Sequence, residues 1–141
     1  MRDYHTAASE FNYLQTAARE LHGSLDGLNA CVECCDRHAD GQDVALYYEA
    51  QDGRASHHTF RELQDQAARF GNFLREQGVQ PGDRVGTLAW NSWRHLALYF
   101  GVSGSGAVLH TVNPRLTREQ IAFIINDAQD TVMFYDEHFE E

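Results

Sequence analysis

Residues 106–120, GAVLHTVNPRLTREQ, decide how this chain is read. Ala107–Thr111 is apolar and short, as a buried strand requires. Pro114 stops it in a turn. Thr117 then opens a helix, and Gln120 three positions later completes a capping box, in which each side chain satisfies an orphan backbone donor. The pattern continues on both sides. Strands at Val85–Ala89 and Thr131–Tyr135 flank the central one, with helices at Ser92–Ser103 and Arg118–Ala128 between them. Apolar strands separated by helices of this length predict right-handed βαβ crossovers and a parallel sheet.

Upstream the pattern differs. Thr59–Gln77 predicts a helix with a Thr59–Glu62 capping box, an apolar stripe of Phe60, Leu63, Ala67, Phe70 and Leu74, and Gly78 placed for a left-handed cap. Val44–Ala50 and Arg54–His58 read as a hairpin closed by Asp52-Gly53. Leu28–Ala39 reads as an amphipathic helix carrying Leu28, Cys31, Val32 and Cys35 on one face. Met1–Gly27 has no clean period and is read as a lead-in in which Phe11, Leu14, Ala18 and Leu21 make one helical stripe. The expected fold class is α/β: an N-terminal helix and β-hairpin, then a partial doubly wound parallel sheet of three βα-linked strands. The organisation follows as 1–27 lead-in, 28–83 helix-hairpin-helix and 84–141 partial sheet, all within one domain of ordinary size.

Composition narrows the chemistry. The 141 residues hold 11 basic residues, all Arg, against 21 acidic ones, for a net charge of -10. A sequence-independent nucleic-acid binder needs a cationic face to displace counterions, so that class is excluded as an expectation. With no Lys there is no Schiff base and no ammonium on a nucleotide phosphate. Met1–Glu20 lacks an apolar core of the signal-peptide kind, and no run approaches the roughly 20 residues that span a bilayer. A cytoplasmic setting is expected. The three Cys lie within five residues, which does not suit a secreted disulfide framework.

Four constellations invite a functional reading. Gly101, Gly104 and Gly106 form G-x-x-G-x-G, but they follow a helix and precede a strand, the reverse of the polarity a dinucleotide needs, so they read as packing glycines. Cys31, Cys34, Cys35 and His38 have ligand chemistry. They share a helix whose apolar face the thiols help to form, so they read as core and no metal is expected. His57 and His58 alternate on a strand and point to opposite faces. The fourth is the set of loops after the parallel strands, where ligands of open α/β sheets bind. It offers Trp90 and Asn91, His110 near the end of the middle strand, Asn113 and Arg115, and Asp136-Glu137. Arg115 has the planar fork that holds phosphate or carboxylate.

Two long stretches carry a family likeness. TFRELQDQAARFGNFLREQGVQPGDRVGTLAWN resembles the T-F-x-E-L, A-x-x-L and G-V-x-x-G-D-R-V pattern of the adenylate-forming acyl-CoA synthetases, or AMP-dependent synthetase/ligases. GVSGSGAVLHTVNPRLTREQIAFIINDAQ resembles their G-A-V and N-P-R-L pattern. The order and spacing match from about Leu28 onward. From Val85 the chain is most similar to medium- and long-chain fatty acyl-CoA ligases; NACVECCDRHADG resembles acetyl- and benzoate-type ligases. The resemblance implies a ligase that converts ATP and a carboxylic acid to an acyl-adenylate and pyrophosphate, after which CoA thiol displaces AMP. It implies ATP, Mg and CoA for the whole enzyme, and places Trp90, Asn91, His110, Asn113 and Arg115 toward the acyl and CoA side. The family's nucleotide loop closing with P-K-G, its Y-G-x-T-E segment, its ribose-binding Asp and its C-terminal Lys are absent from these 141 residues. No catalytic residue is therefore assigned, and the chain alone is expected to be inactive. The alternative is a non-catalytic α/β module that binds a small anion or a protein partner. Self-association through the unfinished sheet is also expected.

Overall fold

The computed structural model describes residues 29–50 and 52–140. The lead-in 1–27 lies outside them. The Asn29 side chain caps α1 (Ala30–Cys34) by accepting from the Cys31 amide, and its amide donates across to the Ser103 carbonyl at 2.7 Å. The single helix expected over 28–39 is not what forms. Cys35, at φ -128° and ψ -65°, leaves the helical region, and a 3₁₀ turn follows at Asp36–His38. Asp36 accepts hydrogen bonds from Gln64 and from the Cys31 thiol, and such side-chain bonding competes with a continuing helix.

The hairpin pairs β1 (Val44–Glu49) with β2 (Ala55–Thr59), antiparallel, through a turn where Gly53 takes φ +80°. Thr59 then caps α2 (Phe60–Glu76), and both halves of the capping box with Glu62 are present. Leu63, Ala67 and Leu74 are its buried stripe. After Gly78 the chain runs into β3 (Arg84–Leu88), α3 (Trp93–Gly104), β4 (Val108–Thr111), α4 (Arg118–Ala128) and β5 (Val132–Tyr135). The three strands are parallel in the order β4-β3-β5. A second 3₁₀ turn, Glu137–Phe139, closes the described chain.

The register assigns the two faces. Val85 lies beside Leu109 and Val132, and Thr87 beside Phe134. This face meets Leu74 of α2 and Val102 of α3 in the main core, with Phe70 edge-on to Phe134 at 5.9 Å. Close approach of α2 and α3 depends on Gly101. A Cβ there would stand 2.7 Å from Phe70 Cβ and 2.8 Å from the Ala67 carbonyl oxygen. The opposite face carries Arg84, Gly86 with His110 and Met133, and Leu88. Arg84 reaches the end of α4 by donating to the Ala128 carbonyl. Chain connections thus leave β3 by one face and β4 by the other, with β3 in the middle. That is a doubly wound topology with its switch between β3 and β4.

Candidate functional site

The switch point fixes where to look. Helices that leave adjacent parallel strands on opposite faces open a crevice outside the strands' carboxyl ends. Here that position is framed by the loops after β3, β4 and β5. Trp90 is its centre. The Trp90 amide donates to Oδ2 of Asp136 at 2.7 Å, and the indole Nε1 donates to Nε2 of His138 at 2.5 Å. The Arg115 guanidinium lies over the indole, 5.4 Å from the ring centroid, within cation–π range. Phe139 approaches at 5.7 Å. The strand ends are themselves tied together, with the Val112 amide on the Thr87 carbonyl and the Asp136 amide on the Leu88 carbonyl.

Of the residues singled out in the sequence, the structure brings Trp90, Arg115 and Asp136 together. Asn113 shapes the same loop, its Oδ1 accepting from the Arg115 amide at 3.0 Å. Asn91 is exposed beside Ser92, the cap of α3. His110 is not part of this group. It lies beside Gly86 on the same sheet face, and its Nδ1 sits 2.8 Å from Asp130. Sequence reasoning passed over His138, Phe139 and Asp130. The first two follow the last strand with no motif of their own, and Asp130 lies in a helix–strand turn, where Asp is ordinary.

The other constellations resolve as packing. Gly101 admits α2, a Cβ on Gly104 would lie 3.2 Å from Cys31 Sγ, and Gly106 has φ +79° against Pro81. None is free to cradle a phosphate. Cys31 and Cys35 are buried, but Cys34 is exposed, so the three thiols do not share one face as expected. Burial pushes the Cys31 thiol up to about 12 and the Cys35 thiol up to about 11, with Asp36 adding to both. A ligating thiol needs the opposite shift. No cluster of three His, Cys, Asp or Glu suited to a metal occurs among the described residues. His58 stacks on Trp93 at 4.6 Å, whereas His57 stays exposed near Tyr47. A groove of about 700 Å³ between α2 and α3 is lined by Asn72, Arg75, Pro81 and Ser105. It opens by the amino ends of β3 and β4, away from the ends where such sheets bind ligands.

The architecture so far defines a doubly wound α/β unit with an aromatic and cationic cluster at its switch point. The AMP-binding enzyme family matches residues 34–141, and the chain belongs to that family. It is 50% identical over 88 residues to the 3-methylmercaptopropionyl-CoA ligase of Ruegeria lacuscaerulensis, covering 62% of this chain and 16% of the relative. It is 49% identical over 84 residues to the long-chain-fatty-acid–CoA ligase of Thermus thermophilus, covering 60% and 16%. Among solved structures, an acyl-CoA synthetase of Brucella canis superposes with a TM-score of 0.81 at 27% identity, over 98% of this chain and 26% of that one. The chain thus spans about one sixth of the length of the curated relatives it matches. No helix among the described residues is long and apolar enough to cross a membrane.

Proposed function

We propose that these residues form the N-terminal part of an ATP-dependent acid–CoA ligase acting on an aliphatic acid of the fatty acyl class. In that reaction the carboxylate attacks the α-phosphorus of ATP, giving acyl-adenylate and releasing pyrophosphate. The CoA thiol then attacks the acyl carbon and releases AMP. The observation that carries the reading is the family match along residues 34–141, with acyl-CoA ligases as the relatives. Trp90, Asn91, Asn113 and Arg115 border the acyl and CoA side at the switch-point crevice, and His110 supports the sheet beneath them. The setting is cytoplasmic.

Among the described residues none is assigned to ATP or its Mg. There is no Lys, and the glycines that resemble a phosphate loop are packed against α1, α2 and Pro81. No step of the reaction is assigned to them. These 141 residues alone therefore form no acyl-adenylate. ATP–pyrophosphate exchange with a panel of straight-chain acids tests both statements, on this chain and on a longer product of the same reading frame. Exchange by the longer product alone is expected. Exchange by the 141 residues, or by neither with any acid, counts against the reading.

In isolation the chain also associates with itself. β4 and β5 are the outer strands of the described sheet, and Val108 and Tyr135 upon them are each half exposed. Open edges offer N–H and C=O groups to another chain. The charge of -10 opposes this, but repulsion is screened beyond about 8 Å at physiological salt, so association strengthens as salt rises. A single 16.0 kDa species in sedimentation at raised salt is the contrary result.

A further inference from the structure

The Trp90–His138 contact fixes a protonation state. An indole N–H can only donate, so the His138 Nε2 it meets at 2.5 Å must be bare, with the ring proton on Nδ1. The two rings lie 8° from parallel and meet edge to edge, which suits this bond. A protonated imidazole donates from both nitrogens and has nothing to accept with. Two N–H groups would then face each other. The added charge would also stand beside an indole that the Arg115 guanidinium already covers. Imidazole is the side chain whose charge ordinarily changes between about pH 5 and 8.

The mechanics are equally local. β5 is anchored below the turn by the Asp136 amide on the Leu88 carbonyl. Beyond Asp136, the turn keeps its own shape through the Phe139 amide on the Asp136 carbonyl and the Glu140 amide on the Glu137 carbonyl. Its attachment to the β3 loop is the His138 bond and the Phe139 ring against Trp90. The surrounding charges are few. The loop after β3, Ala89–Ser92, has no titratable group, and the loop after β4 contributes Arg115. The turn's own segment contributes Asp136, already bonded to the Trp90 amide, with Glu137 and Glu140.

We propose that His138 is a proton-operated latch on Trp90: neutral, it holds the Glu137–Phe139 turn across the strand ends; protonated, it lets the turn go and frees the Trp90 indole. The latch is a property of this chain and stands or falls apart from the ligase reading.

The 141-residue chain is suited to the test by NMR, because it has two indoles to follow, Trp90 and Trp93. On acidification the Trp90 indole N–H should lose its hydrogen-bonded shift along the same curve as the His138 ring carbons, while acrylamide reaches Trp90 more readily. In His138→Gln the amide oxygen accepts at every pH, so the Trp90 transition should vanish while the Trp93 signal, stacked on His58, is unaltered. Asp136→Asn should retain the transition. A Trp90 signal that ignores the His138 titration overturns the proposal. So does one that titrates unchanged in His138→Gln, or one that is lost in Asp136→Asn while His138 still titrates.

Discussion

Nδ1 of His110 lies 2.8 Å from Oδ2 and 3.0 Å from Oδ1 of Asp130, a carboxylate with 1% of its side chain exposed. The pair ties β4 to the turn before β5 across the sheet face of β3. The residue of β3 beneath it is Gly86, paired with both His110 and Met133. His110 was singled out in the sequence as a ligand-side residue. Its geometry is that of a strut which fixes the outer strands about the central one.

Gly86→Ala tests the strut. The new Cβ would stand 2.4 Å from Met133 Sδ and 2.7 Å from Asp130 Oδ2. Met133 has a flexible side chain and can yield. Asp130 cannot move without giving up His110. A loss of about 1–3 kcal/mol is expected by chemical denaturation, together with a displaced His110 ring resonance. Asp130→Ala should cost a similar amount by leaving a polar partner unmatched, about 1–3 kcal/mol. The two losses should be less than additive, since both act through one contact.

Thr59→Ala should destabilise by about 1 kcal/mol through loss of the N-cap of α2. The Thr59 amide, donating to Glu62, holds the Glu62 carboxyl below its ordinary range. A depressed carboxyl contributes stability that is present above its unfolded value and is lost as pH falls through the lower folded value. Stability should therefore decline on the acid side of 4.5, the ordinary carboxyl value. Thermal midpoints across acid pH check both points, and an unchanged midpoint in Thr59→Ala at neutral pH would show that the box is not what starts the helix.

The thiols should separate into one and two. Cys34 is exposed, whereas Cys31 and Cys35 are buried and held as thiols. The thiolate is the nucleophile, so near neutral pH a maleimide should modify Cys34 alone in the native chain and all three in denaturant. For Cys31 and Cys35 the folded values are raised. Their contribution is fully present below the ordinary 9.0 and is lost as pH rises toward about 11 and about 12. Alkaline unfolding should begin within that interval.

Two glycines one helix apart should respond in opposite directions. Gly101→Ala drives a Cβ into Phe70 and the Ala67 carbonyl, and should cost about 1–3 kcal/mol. Gly71→Ala meets only the Gly101 carbonyl oxygen at 3.6 Å, an ordinary contact. Within α2 it should be neutral or stabilising by up to about 1 kcal/mol, because alanine loses less backbone freedom than glycine. Equal effects in both variants would show that the α2–α3 approach does not set the packing.

The sequence by itself determined what depends on near neighbours. The boxes Thr59–Glu62 and Thr117–Gln120, the left-handed caps and turns at Gly53 and Gly78, and the three βα-linked strands all involve residues a few positions apart, or a period that repeats along one element. The family likeness was legible for the same reason, since it rests on ordered short patterns. Tertiary structure decided whatever joins distant segments. The helix expected over 28–39 breaks at Cys35 because Asp36 finds Gln64, 28 positions away. His110 is held on the sheet face because Asp130 and Gly86 meet it there. Trp90 joins the loops after β3 and β5 because residues 46 and 48 positions later accept its two N–H groups. A side chain's period names the face it can occupy; only the packing of the three strands selects its partner.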